Sequence, residues 1–572
     1  MLGKNPFKGR IGSGIMSLMI LLSLVSVGAA MEERGPISSI ESGESVIIDA
    51  AGFPGFYYST SSGTYYETLM LNFSEDGRVD VGDATYTLKI SYGSTALLGD
   101  KYKVLNAGNQ DLLLSKSLVS YGKRTLEIGQ DYALGEEYKL VLKDMNKDGG
   151  LFELQKNSVP VSTQVLKEGE KFEYKTKING TEYKTITATV EWIMFGESPT
   201  ARLKSVTQYS ENPIEIKVGD MYGEFKVTNI EKKKIELKNT VPIDLQPGRE
   251  VSILDDFIKF KVAKNVYRAY PYTQNDDVKK YDVRGTAFNP KYATSFSWTA
   301  DNFGSFFYDL EHDLSTEQMD LTVNTATENV EKGDLVYEST PVKIPYKNPE
   351  MMNCQKEYFK NGYYVMGWQG DKFAALGSAG RLSKIIMDSD EDKILKVGEE
   401  WDLGEGYTLT IKDISANSVY TCLSKNNIPV HSTVIKPGES ADIGTHTLIY
   451  TRNIDDVDVP IVSVYFKNVF RADTNLVELK YPLHFSDSPL EIDIGDEIGE
   501  LKVTHNDEKL RLENKRKLHL DGKVEITDDM WLRVLSSKFI LYPYISRVEC
   551  GELIIHEQSL PVITLEEYLM GA

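Results

Sequence analysis

The chain is written twice. Arg34-Gly35, then Phe53-Pro54-Gly55-Phe56-Tyr57-Tyr58, then Glu67 and Leu71 return without a gap as Arg284-Gly285, Phe303-Gly304-Ser305-Phe306-Phe307-Tyr308, Glu317 and Leu321. Leu126, Gly129, Leu134-Gly135-Glu136, Tyr138, Lys143-Asp144, Lys156-Asn157 and Pro160-Val161 recur in the same way as Leu395, Gly398, Leu403-Gly404-Glu405, Tyr407, Lys412-Asp413, Lys425-Asn426 and Pro429-Val430. A third block, Pro213-Ile214-Glu215-Ile216 with Gly219-Asp220, Gly223-Glu224 and Lys226-Val227-Thr228, matches Pro489-Leu490-Glu491-Ile492 with Gly495-Asp496, Gly499-Glu500 and Lys502-Val503-Thr504. Both copies close on Tyr-Pro-Tyr, at Tyr270-Pro271-Tyr272 and Tyr542-Pro543-Tyr544. Two tandem copies of one large module suit an array-forming or surface-displaying protein better than an enzyme, which needs one active site.

The first thirty residues have the layout of a secretory signal peptide: Lys4, Lys8 and Arg10, the apolar run from Ile15 to Val27, then Gly28-Ala29-Ala30. Cleavage is expected after Ala29 or Ala30. The apolar run is shorter than the roughly 20 residues of a spanning helix. No other stretch could cross a bilayer, so no transmembrane anchor of its own is expected, and the mature protein is placed outside the cell. No Cys follows the apolar run to accept a lipid, and the chain ends in Glu566-Glu567-Tyr568-Leu569-Met570-Gly571-Ala572, with no hydrophobic tail. The expected organisation is a signal peptide at 1–30, a first module at 31–272, a polar linker at 273–283, a second module at 284–544 and a tail at 545–572.

A net charge of −21 argues against nucleic acid as a partner, because phosphates would be repelled, and gathers cations around the protein. The three cysteines, Cys354, Cys422 and Cys550, all lie in or after the second module. One disulfide is open to them, but a fold built twice cannot depend on it.

Alternation of apolar and polar residues in Tyr86-Thr87-Leu88-Lys89-Ile90, Tyr138-Lys139-Leu140-Val141-Leu142, Ile214-Glu215-Ile216-Lys217-Val218 and Lys234-Ile235-Glu236-Leu237, between Gly, Asp, Asn and Pro, predicts an all-β protein. Each module exceeds the roughly 100 residues of one sandwich, so two antiparallel β-sandwich lobes per module are expected. Few helices are expected: Asp371 to Met387, its partner around Asp100 to Leu118, and a short turn at Leu565 to Met570. The stretches ending in Lys226-Val227-Thr228 and Lys502-Val503-Thr504 are candidates to return to the first lobe.

The ordered set of Arg-Gly, Phe-x-x-Phe-x-Tyr, a Glu-bearing strand, Gly99-Asp100-Lys101-Tyr102 or Gly370-Asp371-Lys372-Phe373, and Leu-Gly-Glu-x-Tyr occurs twice. From about Arg34 to Tyr544 it resembles the duplicated S-layer domain of methanogenic archaeal surface-layer proteins. The resemblance implies tandem modules of paired β-sandwich lobes that tile, with themselves or with other S-layer subunits, into a porous acidic coat. Lattice-forming members typically continue into a Thr-rich spacer and a C-terminal membrane helix. Here the sequence stops at Ala572 after a β-like tail, Val548 to Thr564, so the expectation is either a minor or secreted S-layer-related component or sideways association with an anchored partner. The first rival reading is a secreted adhesin or carbohydrate-binding module that forms no lattice, and the second is a secreted hydrolase with a site between lobes, for which the sequence offers no positive motif.

Chemistry-bearing motifs are sparse. Asp144-Met145-Asn146-Lys147-Asp148-Gly149 opens like a calcium loop, but the twelfth position is Gln155 instead of the bidentate Glu. Asp144, Asn146 and Asp148 are therefore read first as a β-turn and second as a weak site for Ca2+ or another divalent cation. No other cofactor is expected. Asp388-Ser389-Asp390-Glu391-Asp392 reads first as a solvated acidic loop and second as an adventitious Ca2+ or Mg2+ site. His312, His431, His446, His484, His505, His519 and His556 fall outside the first module and show no zinc spacing, so they read as ordinary surface or strand histidines. No catalytic residues are expected: there is no Gly-x-Ser-x-Gly elbow, and the cysteines lack catalytic context. At least one aromatic of each Phe-x-Tyr trio should be core, with an intermodule or sugar contact as the second reading. Tyr-Pro-Tyr reads as an edge-strand ending. Asn72-Phe73-Ser74 and Asn179-Gly180-Thr181 are glycosylation sequons, the second on a tight hairpin between Phe172 to Lys177 and Glu182 to Thr187.

Overall fold

A computed structural model describes residues 32–548, apart from 60–62, 109–110, 148, 197, 275–279, 354–356, 416, 438–445, 472–474 and 536–538. Strands dominate because the period-two pattern is satisfied on both faces. Glu67–Asn72 buries Glu67, Leu69 and Leu71, and Ala84–Lys89 buries Ala84, Tyr86 and Leu88, while the residues between them turn outward.

Each module holds two hydrophobic cores, which gives four lobes along the described chain. In the first module a six-stranded antiparallel sheet runs in the order Met221–Tyr222, Phe225–Ile230, Lys234–Asn239, Ala84–Lys89, Glu67–Asn72, Ser45–Asp49. Strands from the end of the module thus lie beside strands from its start, and Phe225 and Val227 share a core with Leu69 and Leu71. The second lobe is an insertion within the first, as the return of the Lys226-Val227-Thr228 stretch requires. It packs a sheet containing Lys171–Ile178, Thr181–Met194, Thr200–Tyr209 and Asp111–Glu127 against a four-stranded sheet, Asp131–Ala133, Tyr138–Asn146, Gly149–Lys156, Val159–Leu166. The 17-residue strand Asp111–Glu127 ties the lobes together: Leu112 and Leu114 enter the first core and Leu126 the second.

The second module repeats this plan with two differences. Its counterpart of the long strand is broken into Arg381–Asp388 and Lys393–Lys396, and the acidic stretch Asp388 to Asp392 lies at the break. It also carries an insertion with a Val342–Ile344 strand and two 3-10 turns, Pro349–Asn353 and Glu357–Phe359, which place Met351 and Phe359 in the second-lobe core.

The expected helices are strands. Asp100–Ala107 and Asp111–Glu127 form one hairpin, and Asp371–Ala375 and Arg381–Asp388 form another. Runs of consecutive apolar residues hide the period-two signal: Leu113 is half-buried between the buried Leu112 and Leu114, and Ile385, Ile386 and Met387 are all half-buried. Leu565 to Met570 lies outside the described residues, as does the segment 1–30.

Tyr-Pro-Tyr is not at an edge either. Pro271 pairs with Phe260 on one side, while Ser38 pairs with Ala269 and the Gly35 amide donates to the Pro271 carbonyl (2.8 Å) on the other. Pro543 likewise pairs with Leu532 and accepts from Gly285 (2.9 Å). A strand residue's nitrogen and carbonyl point to the same side. Each proline therefore turns its missing donor toward the kinked Gly-bearing segment, which uses only the carbonyl.

Candidate functional site: the junction between the modules

The repeated Arg-Gly pair opens each module, and each arginine reaches into the other module. Nη2 of Arg34 donates to the Phe306 carbonyl (3.3 Å), and its guanidinium lies 5.5 Å from the ring centre of Tyr270 and 5.3 Å from that of Tyr308. Nη1 of Arg284 donates to the Ala51 carbonyl (2.8 Å) and Nη2 to the Ala50 carbonyl, with the Tyr58 and Tyr542 ring centres at 4.6 and 5.8 Å. The two halves of this clasp follow one rule. An arginine is held between the third aromatic of the opposite trio and the first tyrosine of its own Tyr-Pro-Tyr. Arg34 is 6% and Arg284 8% exposed, so the cation–π contacts act largely out of water, where each contributes about 2 kcal/mol.

The surroundings seal the clasp. Tyr58 meets Tyr542 edge-on at 6.2 Å, and Tyr308 packs beside Tyr270, Tyr272 and Leu310. Arg268 donates to the Leu310 carbonyl (2.8 Å) and pairs with Asp313 (3.1 Å), and the Lys264 amide donates to Glu311 (2.8 Å). Gly304 is needed at the contact: a Cβ there would lie 2.0 Å from the Arg34 carbonyl oxygen, a backbone atom of the other module.

What positions the aromatic trios is a buried glutamate in each module. Glu67 accepts from the Tyr57 amide (2.9 Å), the Tyr86 hydroxyl (2.6 Å) and the Gly99 amide (2.9 Å). Glu317 accepts from the Phe307 amide (2.6 Å), the Tyr337 hydroxyl (2.7 Å) and the Gly370 amide (3.0 Å). The second glutamate and its glycine are 53 residues apart, the first pair 32, yet the geometry is the same, because the insertion loops out between them. Burial pushes each carboxyl up to about 7, against the pull of its three donors. Of each trio, Phe56 and Phe306 are core, and Tyr58 and Tyr308 make the intermodule contact.

Two further repeated devices brace the lobes. Oδ1 of Asn239 accepts from the Gly82 and Ala84 amides and its Nδ2 donates to the Asp80 and Val241 carbonyls, all within 2.8–2.9 Å. Asn514 does the same with Gly333, Leu335, Glu331 and Arg516 at 2.7–2.9 Å. In the second lobes, Glu211 accepts from Tyr138 (2.7 Å), Lys156 (2.6 Å) and Thr176 (2.7 Å). Asp487 takes its place against Tyr407 (2.7 Å), Lys425 and Arg452. Burial raises both acids, but their cationic and hydroxyl donors outweigh it and hold them below the usual carboxylate range.

Asp144 and Asn146 are exposed at the end of the Tyr138–Asn146 strand, where Asn146 pairs with Gly149 across a tight turn. Asp148 lies outside the described residues. The acidic stretch is threaded by lysines: Lys347 and Lys372 approach Asp388, Lys264 approaches Asp390, and Lys467 and Lys480 approach Asp392. Among the described residues no group of three His, Cys, Asp or Glu side chains is placed to hold a metal ion. Two histidines are more than surface residues. His446 is buried with Nδ1 on Glu350, from the insertion, and His484 is buried with Nδ1 2.8 Å from the Leu403 carbonyl, burial lowering its pKa. His556, Cys354 and Cys550 lie outside the described residues; Cys422 is a buried free thiol. Asn179 is exposed with positive φ on the hairpin turn, whereas Asn72 is half-buried, its amide engaged by Ser45 (2.8 Å) and the Asp83 carbonyl (3.3 Å).

These paired modules are those of a surface-layer protein. The S-layer protein family model matches residues 38–264 and again 288–535, and the chain belongs to that family. It is similar to the major S-layer protein of Methanosarcina barkeri (strain Fusaro), 25% identical with 94% of this chain and 86% of that protein covered. The major S-layer proteins of Methanosarcina mazei and Methanosarcina acetivorans are each 24% identical, with 96% of this chain and 89% of theirs covered. Among the described residues no helix is long and apolar enough to cross a membrane, which does not bear on strands.

Proposed function

We propose that the chain is exported by its first thirty residues, cleaved, and used as a structural subunit of a porous acidic coat that assembles laterally at the cell surface. The observation that supports this most is the family match to both modules, together with relatives matched over nearly their whole length. Its work is mechanical and electrostatic, not catalytic. The clasp holds the two modules as one tile, and the −21 charge disfavours anions at gaps between tiles while concentrating cations. Divalent cations bridge facing carboxylates between subunits, with Asp144, Asn146 and Asp148 as one contact point. Asn179 is the favoured glycan acceptor of the two sequons because its hairpin is exposed.

Immunogold labelling of the cells that make the protein tests the location, with mass spectrometry of the isolated envelope fixing the N-terminus and the mass at Asn179. Label confined to the envelope and a mature start near residue 31 are expected; cytoplasmic label with the first thirty residues retained would sink the reading. Envelope fractions washed with chelator should release the protein, and release that is unchanged by chelator would remove the cation bridges.

A further inference from the structure

In both second lobes the four-stranded sheet ends on a strand of eight residues, Val159–Leu166 in the first module and Ile428–Ile435 in the second. Neither contains Asp, Glu, Lys or Arg, and they are the longest described strands of which this is true, in a chain that is 26% charged. Both show the same burial pattern, residue for residue. Outward along them stand Val159, Val161 and Val165, and Ile428, Val430 and Val434, all between 36 and 67% exposed. Natural sheet edges are ordinarily blunted by lysines, bulges or prolines, because their free amides and carbonyls pair with any extended strand. Here the blunting is confined to the start of each strand, where Pro160 and Pro429 each remove a donor and a bulge at Val161 and Val430 shifts the register; from Ser162 and His431 onward the pairing is regular and no Asp, Glu, Lys or Arg follows in the strand. Other edges of the same lobes are guarded: Lys171–Ile178 carries Lys171, Glu173, Lys175 and Lys177, and Asp131–Ala133 and Glu400–Gly404 carry acids.

We propose that these strands are the lateral contact between copies of this chain, the Val159–Leu166 edge of one copy pairing with the Ile428–Ile435 edge of the next. This rests on the reading of the chain as a coat subunit and names the surface that does the joining. The partner is a second copy for a charge reason. Two molecules at −21 repel, so direct strand pairing, apart from the cation-bridged contacts, needs a surface where charge is absent on both sides, and these edges meet that requirement while offering the same length and similar aliphatic side chains to each other. Because one chain carries both edges, a first-to-second contact uses different patches on each copy and leaves one edge of each kind to extend, so it builds an open row unless the rotation between copies closes a ring. Valine and isoleucine facing across a new strand pair would be covered by the neighbour's equivalents.

The test uses the full mature chain. V161K/V165K charges the first edge and V430K/V434K the second, all at exposed positions, with circular dichroism and the thermal midpoint confirming the fold. Sedimentation should find that wild type forms extended oligomers, that each variant alone needs at least tenfold higher concentration to associate, and that an equimolar mixture forms heterodimers, since each supplies the edge the other lacks. Independently of any variant, amide exchange in 159–166 and 428–435 should slow on assembly of the wild type. Variants that assemble like wild type, dimers of either variant alone, or assembly without protection of both strands would overturn the pairing and leave the coat reading standing. A wild-type chain that stays monomeric at every concentration would overturn both.

Discussion

Arg284 of the second module lies 4.6 Å from the ring centre of Tyr58 in the first and donates across the junction to the Ala50 and Ala51 carbonyls, while Arg34 makes the reciprocal reach to Tyr308 and Phe306. Each module thus depends on the other to occupy its opening arginine. Arg284→Ala should lower the unfolding free energy by about 3 kcal/mol, from lost charge-assisted hydrogen bonds and ring contacts. Arg34→Ala should act in the same sense, and the pair together should cut the linkage between the modules' transitions. Calorimetry checks this: two separated transitions in R34A/R284A against one in wild type. Superimposable traces would refute the clasp.

Gly304→Ala should weaken the junction without harming either core. The added Cβ meets the Arg34 carbonyl at 2.0 Å, and a backbone atom cannot swing aside as a side chain can. Limited proteolysis between the modules should be faster in G304A, with the exchange protection of the four cores unchanged.

The buried glutamates should impose a pH dependence. The folded value of about 7 lies above the ordinary 4.5, so proton binding favours the fold. This stabilisation is complete below about pH 4.5 and is lost as the pH rises through 7, by up to about 1.4 kcal/mol per unit for each group. Glu211 and Asp487 act in the opposite sense at lower pH, because their folded values are depressed. Denaturant unfolding between pH 5 and 7.5 should therefore show a flatter profile for E67Q/E317Q than for wild type, and equal slopes would contradict the assignment.

Asn239→Ala should cost about 2–4 kcal/mol, since it strands the buried Gly82 and Ala84 amides and two carbonyls together. Asn514→Ala should cost the same in the second module. Thermal unfolding of each single variant is the check, and Asn→Asp should not restore the loss, because Asp cannot donate to the carbonyls.

Much of this was legible in the chain itself. The offset repeat of Arg-Gly, the aromatic trio, Glu67 or Glu317 and Tyr-Pro-Tyr marked the residues that build the junction. What one sequence could not show is that the arginines exchange modules, because that is a relation between copies and not within one. Glu211 and Asp487 differ in type, so the sequence repeat does not pair them, and their shared role is visible only through Tyr138 with Lys156 and Tyr407 with Lys425. The expectation of helices fails where consecutive apolar residues, Leu112 to Leu114 and Ile385 to Met387, hide the alternation of the strands that carry them. Pro271 misled because a proline inside a sheet normally breaks a ladder, and here the neighbouring Gly35 takes only its carbonyl.

Negative-stain electron microscopy of the mature protein from residue 31, with and without millimolar calcium, decides whether this chain is a coat subunit. Ordered sheets or tubes with a regular repeat are the predicted result. Dispersed single particles under every condition would contradict it.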